Sequence, residues 1–244
     1  MIDIKKYKKE IKRRRNNNDY SFSGITGHCF IEGDNIIKIY DFPIYKDDIC
    51  DLSLFSSSMI SFPLEYIKKR KFYYGEVLPY FNKLNIMNGI NSDCFIDKII
   101  TDYHIMVNEI EKFPYLMMYD ISYPNILYGE DGFSLIDVTN WKYDPIKYSK
   151  VDSFRFNLAD FNDSLLYCFW KKCTDLDVDQ FWIKKYLGNE FNDVYLNCIR
   201  GLVKIDQLME IYLNIIKKYD FEVKNIADMQ ESVKILKKNI DFSR

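Results

Sequence analysis

Three oxygen-bearing side chains gather in one stretch of this sequence, YLMMYDISYPNILYGEDGFSLIDVTNW at 115–141. Asp120 and Asn125 stand in a D-x-x-x-x-N spacing. Ile126-Leu127-Tyr128 and Phe133-Ser134-Leu135-Ile136 then flank Gly129-Glu130-Asp131-Gly132. Two apolar runs around such a turn predict a tight hairpin. Asp137 falls at the exit of its second strand, so the pattern puts Asn125 and Asp137 at one open end, with Asp120 a loop upstream. That trio suits magnesium–phosphate chemistry. Magnesium takes hard oxygen ligands from one or two side chains and fills its shell with phosphates. A separate carboxylate can accept the proton of an incoming hydroxyl. Asp152 and Asn157 repeat the spacing, but in a helical pattern with no hairpin behind them, so the hairpin separates signal from decoy.

Histidine and cysteine add little to this chemistry. It has 244 residues and only two histidines, His28 and His104, both expected to pack or face solvent. A three-histidine metal site is excluded, and acid–base work must rest on carboxylates. The cysteines Cys29, Cys50, Cys94, Cys168, Cys173 and Cys198 form no C-x-x-C pair, which argues against a zinc ribbon or a dithiol redox motif and for scattered reduced thiols. A net charge of −2 argues against a globally basic nucleic-acid binder, while a local basic patch stays open. The 48 % hydrophobic and 17 % aromatic content is enough for a core and excludes general disorder. No apolar run reaches the roughly 18–20 residues of a membrane span. The start, MIDIKKYKKEIKRRR, has no apolar segment after its charges, so a cytoplasmic protein is expected.

The elements that must position these residues follow from periodicity. Ile4, Tyr7 and Ile11 make residues 4–15 a short amphipathic helix carrying eight Lys and Arg against one Glu. It reads either as a solvated helix or as a site for an anionic partner such as RNA or lipid head groups. Residues 20–41 read as β structure, with a hairpin turning at Gly33-Asp34-Asn35. A helix is expected over 45–58 and a second hairpin over 64–81. Phe95, Ile99, Tyr103, Met106 and Ile110 predict a long helix from about 92 to 112. Further helices are expected over 152–173, 178–187, 190–217 and 227–239.

In this order and spacing the chain resembles the protein-kinase-like superfamily, as a divergent bacterial- or phage-type Ser/Thr kinase-like or aminoglycoside-phosphotransferase-like protein. There H-R-D-x-x-x-x-N is followed by a hairpin and D-F-G. The resemblance covers about residues 20–170. It implies that Asp120 is the catalytic Asp and that Asn125 and Asp137 hold magnesium. Gly24-Ile25-Thr26-Gly27 sits where a glycine-rich loop belongs, and Lys38, in IIKIY, where the phosphate-contacting lysine belongs. YYGEVLPYF at 73–81 resembles the strand leading to the adenine hinge, which implies Leu78 and Tyr80 at the nucleotide. The implied fold is α+β and two-lobed, with a small antiparallel β N-lobe and a mostly helical C-lobe. Its parts would be a basic N-terminal segment (1–19), the N-lobe (20–82) and the C-lobe (83–244). The implied activity is transfer of the γ-phosphate of ATP, with magnesium, to a hydroxyl of a protein or a small molecule.

The departures set the alternative. The glycine loop is a bare G-x-x-G, Met118 and Tyr119 replace His and Arg, and Asp137-Val138-Thr139 lacks the glycine of D-F-G. Residues 45–58 hold no Glu to pair with Lys38, so Asp48, then Asp51, is the expected partner. The segment 138–151 is short and has no A-P-E motif, which offers little platform for a peptide. A pseudokinase that binds nucleotide or serves as a scaffold is the second reading.

Overall fold

A computed structural model describes residues 4–16, 27–90, 96–173, 189–202, 204–206 and 209. The protein is α+β, with a four-stranded antiparallel sheet, a smaller three-stranded sheet and several helices. The chain divides into two compact units, Met1–Asn82 with Ile136–Tyr143, and Lys83–Leu135 with Asp144–Arg244. The segment carrying Asp137 therefore belongs with the β-rich first unit, where the sequence pattern had grouped it with the helical half.

The first unit is built on strands β1 (Gly27–Glu32), β2 (Asn35–Tyr45), β3 (Glu65–Lys69) and β4 (Phe72–Pro79), in the order β1-β2-β4-β3. The expected hairpins are present. Gly33 turns the first at φ +60, and Arg70 at φ +56 turns the second. Helix α1 (Ile4–Asn16) lies on this sheet through its apolar stripe. Tyr7 is buried among Phe30, Ile37, Ile39, Ile67 and Val77, with Ile4 and Ile11 packed beside it.

No helix runs over 45–58. A single 3-10 turn, Lys46–Asp48, is followed by irregular chain. Short polar side chains explain this. Asp51 Oδ1 accepts from Ser53 N and Oγ, and Ser57 Oγ accepts from Met59 N and Ile60 N. Such local bonds offer the backbone an alternative to helical pairing. Leu52, Ile60 and Phe62 are buried along this segment and hold it against the unit. Strand β9 (Lys142–Tyr143) closes the unit, with Trp141 edge-on to Phe62 and Lys142 Nζ donating to Asp48 O at 2.8 Å.

The second unit holds β5 (Leu84–Asn85), α2 (Ile86–Gly89), α3 (Ile96–Glu111), β6 (Leu116–Met117), β7 (Ile126–Gly129), β8 (Gly132–Leu135), α4 (Lys150–Cys173) and α5 (Asn189–Ile199). The apolar stripe of α3 packs inward as its spacing requires, with Ile99, Tyr103, Met106 and Ile110 at most 1 % exposed. Tyr103 stacks on Phe161 of α4, and Phe133 meets Phe161 edge-on. Helix α5 stops short of the helix expected to run to 217. Gly201 takes φ +63 and the closing bond Leu202 N to Asn197 O forms, the usual left-handed helix end. The expected helices over 178–187 and 227–239 lie outside the described residues. Cys29, Cys50, Cys168 and Cys198 are not in disulfides. Among the described residues no helix is long and apolar enough to cross a membrane.

Candidate functional site

In the first unit the site is built around Lys38. It stands on β2, directly opposite Glu76 on β4 and Cys29 on β1. Lys38 is buried, and its ammonium donates to Asp137 Oδ1 at 2.5 Å and to Thr139 Oγ1 at 2.9 Å. Its Nζ also lies 3.6 Å from Glu76 Oε1. A buried lysine needs such partners, because an unpaired charge removed from water is costly. Burial alone would lower the pKa of Lys38, but Glu76 and Asp137 outweigh it and hold it above the ordinary lysine value.

Glu76 is fully buried, with the buried Tyr40 hydroxyl beside its carboxylate. Burial raises its pKa in spite of the pull of Lys38 and Thr139. Thr139 lies within bonding distance of both carboxylates, 2.9 Å from Glu76 Oε1 and 3.1 Å from Asp137 Oδ1. Its hydroxyl has one proton, so it donates to one of them at a time while accepting from Lys38. The four groups form one network of a cation, two carboxylates and a shared hydroxyl. Asp137, less buried than its partners, is held at φ +58, left-handed backbone that a non-glycine residue adopts at some expense.

Two sequence expectations are corrected here. Asp48 and Asp51 do not hold Lys38. Asp48 is exposed on the 3-10 turn and uses its carbonyl on Lys142, and Asp51 caps Ser53. The partner comes from the neighbouring strand because the 45–58 segment makes no helix. Gly27 does not sit in a loop. It opens β1 opposite Tyr40, where a Cβ would meet Ile39 O at 2.4 Å, so close strand contact is what requires glycine. Gly24 lies outside the described residues. Leu78 is buried on β4 opposite Ile36, and Tyr80 follows the strand, exposed, its N–H donating to Asp34 O at 3.0 Å.

In the second unit Asp120 and Asn125 come together. Asn125 Nδ2 donates to Asp120 O at 3.0 Å and to its Oδ2 at 3.3 Å. That leaves the Asn125 amide oxygen as the end a cation would use. Asp120 is exposed and, like Asp137, left-handed, at φ +64. The β7–β8 hairpin forms as expected, with Ile126 opposite Leu135 and Gly132 in the turn at φ +85. Lys83 closes the turn from below, donating to Gly132 O at 3.2 Å.

The loop carrying Asp120 is held by a polar stripe on α4. Ser153 Oγ accepts from Tyr115 N, and Asn157 binds both Met118 N and Leu116 O at 2.8 Å. Asp160 Oδ2 accepts from Ile121 N at 2.8 Å, and Ser164 Oγ donates to Ile121 O. The positions 153, 157, 160 and 164 share one helix face. Burial holds the Asp160 carboxyl above its usual range against the Ile121 N–H, and the charges of Asp163 and Asp120 add to the rise.

Sequence reasoning missed Glu76, Thr139 and this stripe. A signal for Glu76 existed, since a lone acid inside the apolar strand YYGEVLP mirrors a lone lysine inside IIKIY. Asn157, whose Asp152 spacing in the sequence reads as a decoy, is the fully buried anchor of the Asp120 loop.

Magnesium takes hard oxygen ligands; the Asp137 carboxylate in the first unit and the Asn125 amide oxygen in the second are each of that kind. Among the described residues no group of three or more His, Cys, Asp or Glu gathers as a metal site. Phosphate and water would have to complete any shell. No protein-family model matches the chain, and no curated protein matches it.

Proposed function

We propose that this protein is a phosphotransferase with a two-lobed, kinase-like fold, using ATP and magnesium to phosphorylate a hydroxyl of a protein or small molecule. The observation that carries the proposal is the Lys38–Asp137 ion pair at 2.5 Å, between residues 99 positions apart. A lysine offers a point charge for phosphate oxygens, and a carboxylate offers a hard oxygen for magnesium. In this reading two of the three Lys38 N–H donors hold Asp137 and Thr139, and the third serves a phosphate oxygen. Asp120 orients the acceptor hydroxyl and takes its proton. Asn125 and Asp137 would hold magnesium, which neutralises charge on the phosphates when bound. Catalysis is then positioning and charge stabilisation.

Among the described residues one cation, Lys38, faces two carboxylates, so ATP adds negative charge to this cluster. Binding must therefore depend on magnesium. The same observation favours the second reading, a nucleotide-binding or scaffold module without turnover, if the carboxylates keep Lys38 from the phosphates. Calorimetry of ATP binding with and without magnesium, on the wild type and Asp137→Asn, tests the site. Magnesium-dependent binding that the variant loses supports it; a wild type that binds no ATP under either condition overturns it. Transfer assays on candidate acceptors then separate enzyme from scaffold.

A further inference from the structure

We propose that the outer face of helix α1 binds the phosphate backbone of nucleic acid without regard to sequence. This goes beyond the phosphotransferase reading and uses none of its residues. The helix spends its apolar stripe, Ile4, Tyr7 and Ile11, on the sheet. Its opposite arc carries Lys5, Lys8, Lys9 and Lys12, all exposed and spaced i, i+3, i+4 and i+7.

Four ion pairs hold the flanks. Glu10 holds Arg13 at 2.6 Å and Arg14 at 3.4 Å, Glu32 holds Lys6 at 2.8 Å, and Asp41 holds Arg15 at 2.5 Å. The crest stacks like charges at i, i+4, Lys5 over Lys9 and Lys8 over Lys12, which weakens a helix. No acid stands in the first turn to complement the helix dipole. A merely solvated face gains nothing from this arrangement, whereas a polyanion removes its repulsion.

The charge extends beyond the helix. Lys8 lies 5.3 Å over the ring of Tyr74, on the strand that leaves the exposed basic turn Lys68-Lys69-Arg70-Lys71. The chain is also polarised. The first unit holds 15 Lys and Arg against 12 Asp and Glu, the second 19 against 24. The net charge of −2 conceals this basic surface.

Nucleic acid fits better than a membrane. Surface helices enter lipid through an apolar face, and that of α1 is already buried on the sheet. A row of lysines without base-reading side chains matches phosphate contacts, which position but do not specify.

The test is fluorescence anisotropy of the whole protein with a labelled DNA duplex of about 20 base pairs, titrated from about 50 mM salt upward. The variant is Lys5→Gln/Lys8→Gln/Lys9→Gln/Lys12→Gln. Affinity should fall at least about tenfold, and the log–log salt slope should flatten by about three to four, near 0.9 per lost contact. Lys9→Gln and Lys12→Gln alone, each expected to flatten it by about one, keep the test open should the fourfold variant not fold. A wild type that does not bind the duplex at about 50 mM salt overturns the proposal, as does a fourfold variant within about twofold of wild type. Binding to about 3:7 phosphatidylserine–phosphatidylcholine vesicles but not to the duplex overturns it in favour of a membrane surface.

Discussion

Lys38 and Glu76 are register partners on adjacent antiparallel strands, with Nζ and Oε1 3.6 Å apart and Glu76 fully buried. Partners in such a ladder project to the same face, so the pair forms with the sheet itself. A helix is not needed to deliver the acid, and the irregular 49–64 segment supplies none. In the proposed enzyme the lysine is thus held permanently, without the helix movement that sets the equivalent pair in many kinases.

Removing the cation should expose how much the pair matters. Lys38→Met leaves Glu76 buried without its counter-charge, and is expected to destabilise the protein by about 3–5 kcal/mol at pH 7. The loss should shrink on acidification. Burial places the folded pKa of Glu76 above its unfolded value. The folded state therefore binds the proton more tightly, and its stability falls as pH rises through that interval. Without Lys38 the interval widens upward. Urea unfolding at pH 5 and pH 7 checks this, and an equal deficit at both would contradict it.

Close backbone contact behind Lys38 makes a second expectation. A Cβ on Gly75 would meet Lys38 O at 2.2 Å. Gly75→Ala should cost about 1–3 kcal/mol through forced strand displacement, and weaken ATP binding because the displaced strand carries Lys38. Gly33→Ala has open space around it but a φ of +60. It should cost about 1–2 kcal/mol of backbone strain and leave ATP binding unchanged. Thermal unfolding and calorimetry on the two variants distinguish steric from conformational loss.

Asp120 offers the cleanest separation of chemistry from folding. Asn tolerates left-handed backbone, so Asp120→Asn should keep stability within about 0.5 kcal/mol. As the proposed general base it should lose about 10²–10⁴ in kcat with ATP affinity unchanged. Single-turnover kinetics beside calorimetry read both. Undiminished turnover would remove Asp120 from the mechanism.

The two members of the repeated spacing should differ sharply. Asn157→Ala leaves the buried Met118 N and Leu116 O without partners, and is expected to cost about 2–4 kcal/mol. It should also lower transfer more than ATP binding, since the loop it anchors carries Asp120. Asp152 is exposed and bonds only Ser149 nearby, so Asp152→Ala should cost about 0.5 kcal/mol. Denaturant midpoints for both variants settle the contrast.

The residues legible in advance were those with a local signature. Apolar spacing announced α1 and α3, and turn composition announced the hairpins at Gly33 and Gly132. The helix expected over 45–58 failed because Asp51 and Ser57 bond their own backbone, a competition that apolar periodicity does not register. The helix expected to run to 217 stops at Gly201, which takes φ +63 and where a Cβ would meet Arg155 O of α4 at 2.1 Å, so only tertiary packing reveals why glycine is needed there.

By itself the sequence determined which groups are available. It holds two histidines and no C-x-x-C pair, while Asp120, Asn125 and Asp137 bracket one hairpin. It also determined where local elements begin, because turn and helix propensities act over a few residues. Only the tertiary structure decided that Lys38 is held by Asp137, Thr139 and Glu76, residues 38 to 101 positions away. It alone showed that Ser153, Asn157, Asp160 and Ser164 anchor one loop. The physical reason is that a buried charge or amide takes whatever partner the packed chain presents. That choice follows from strand register and helix placement, which no local pattern encodes.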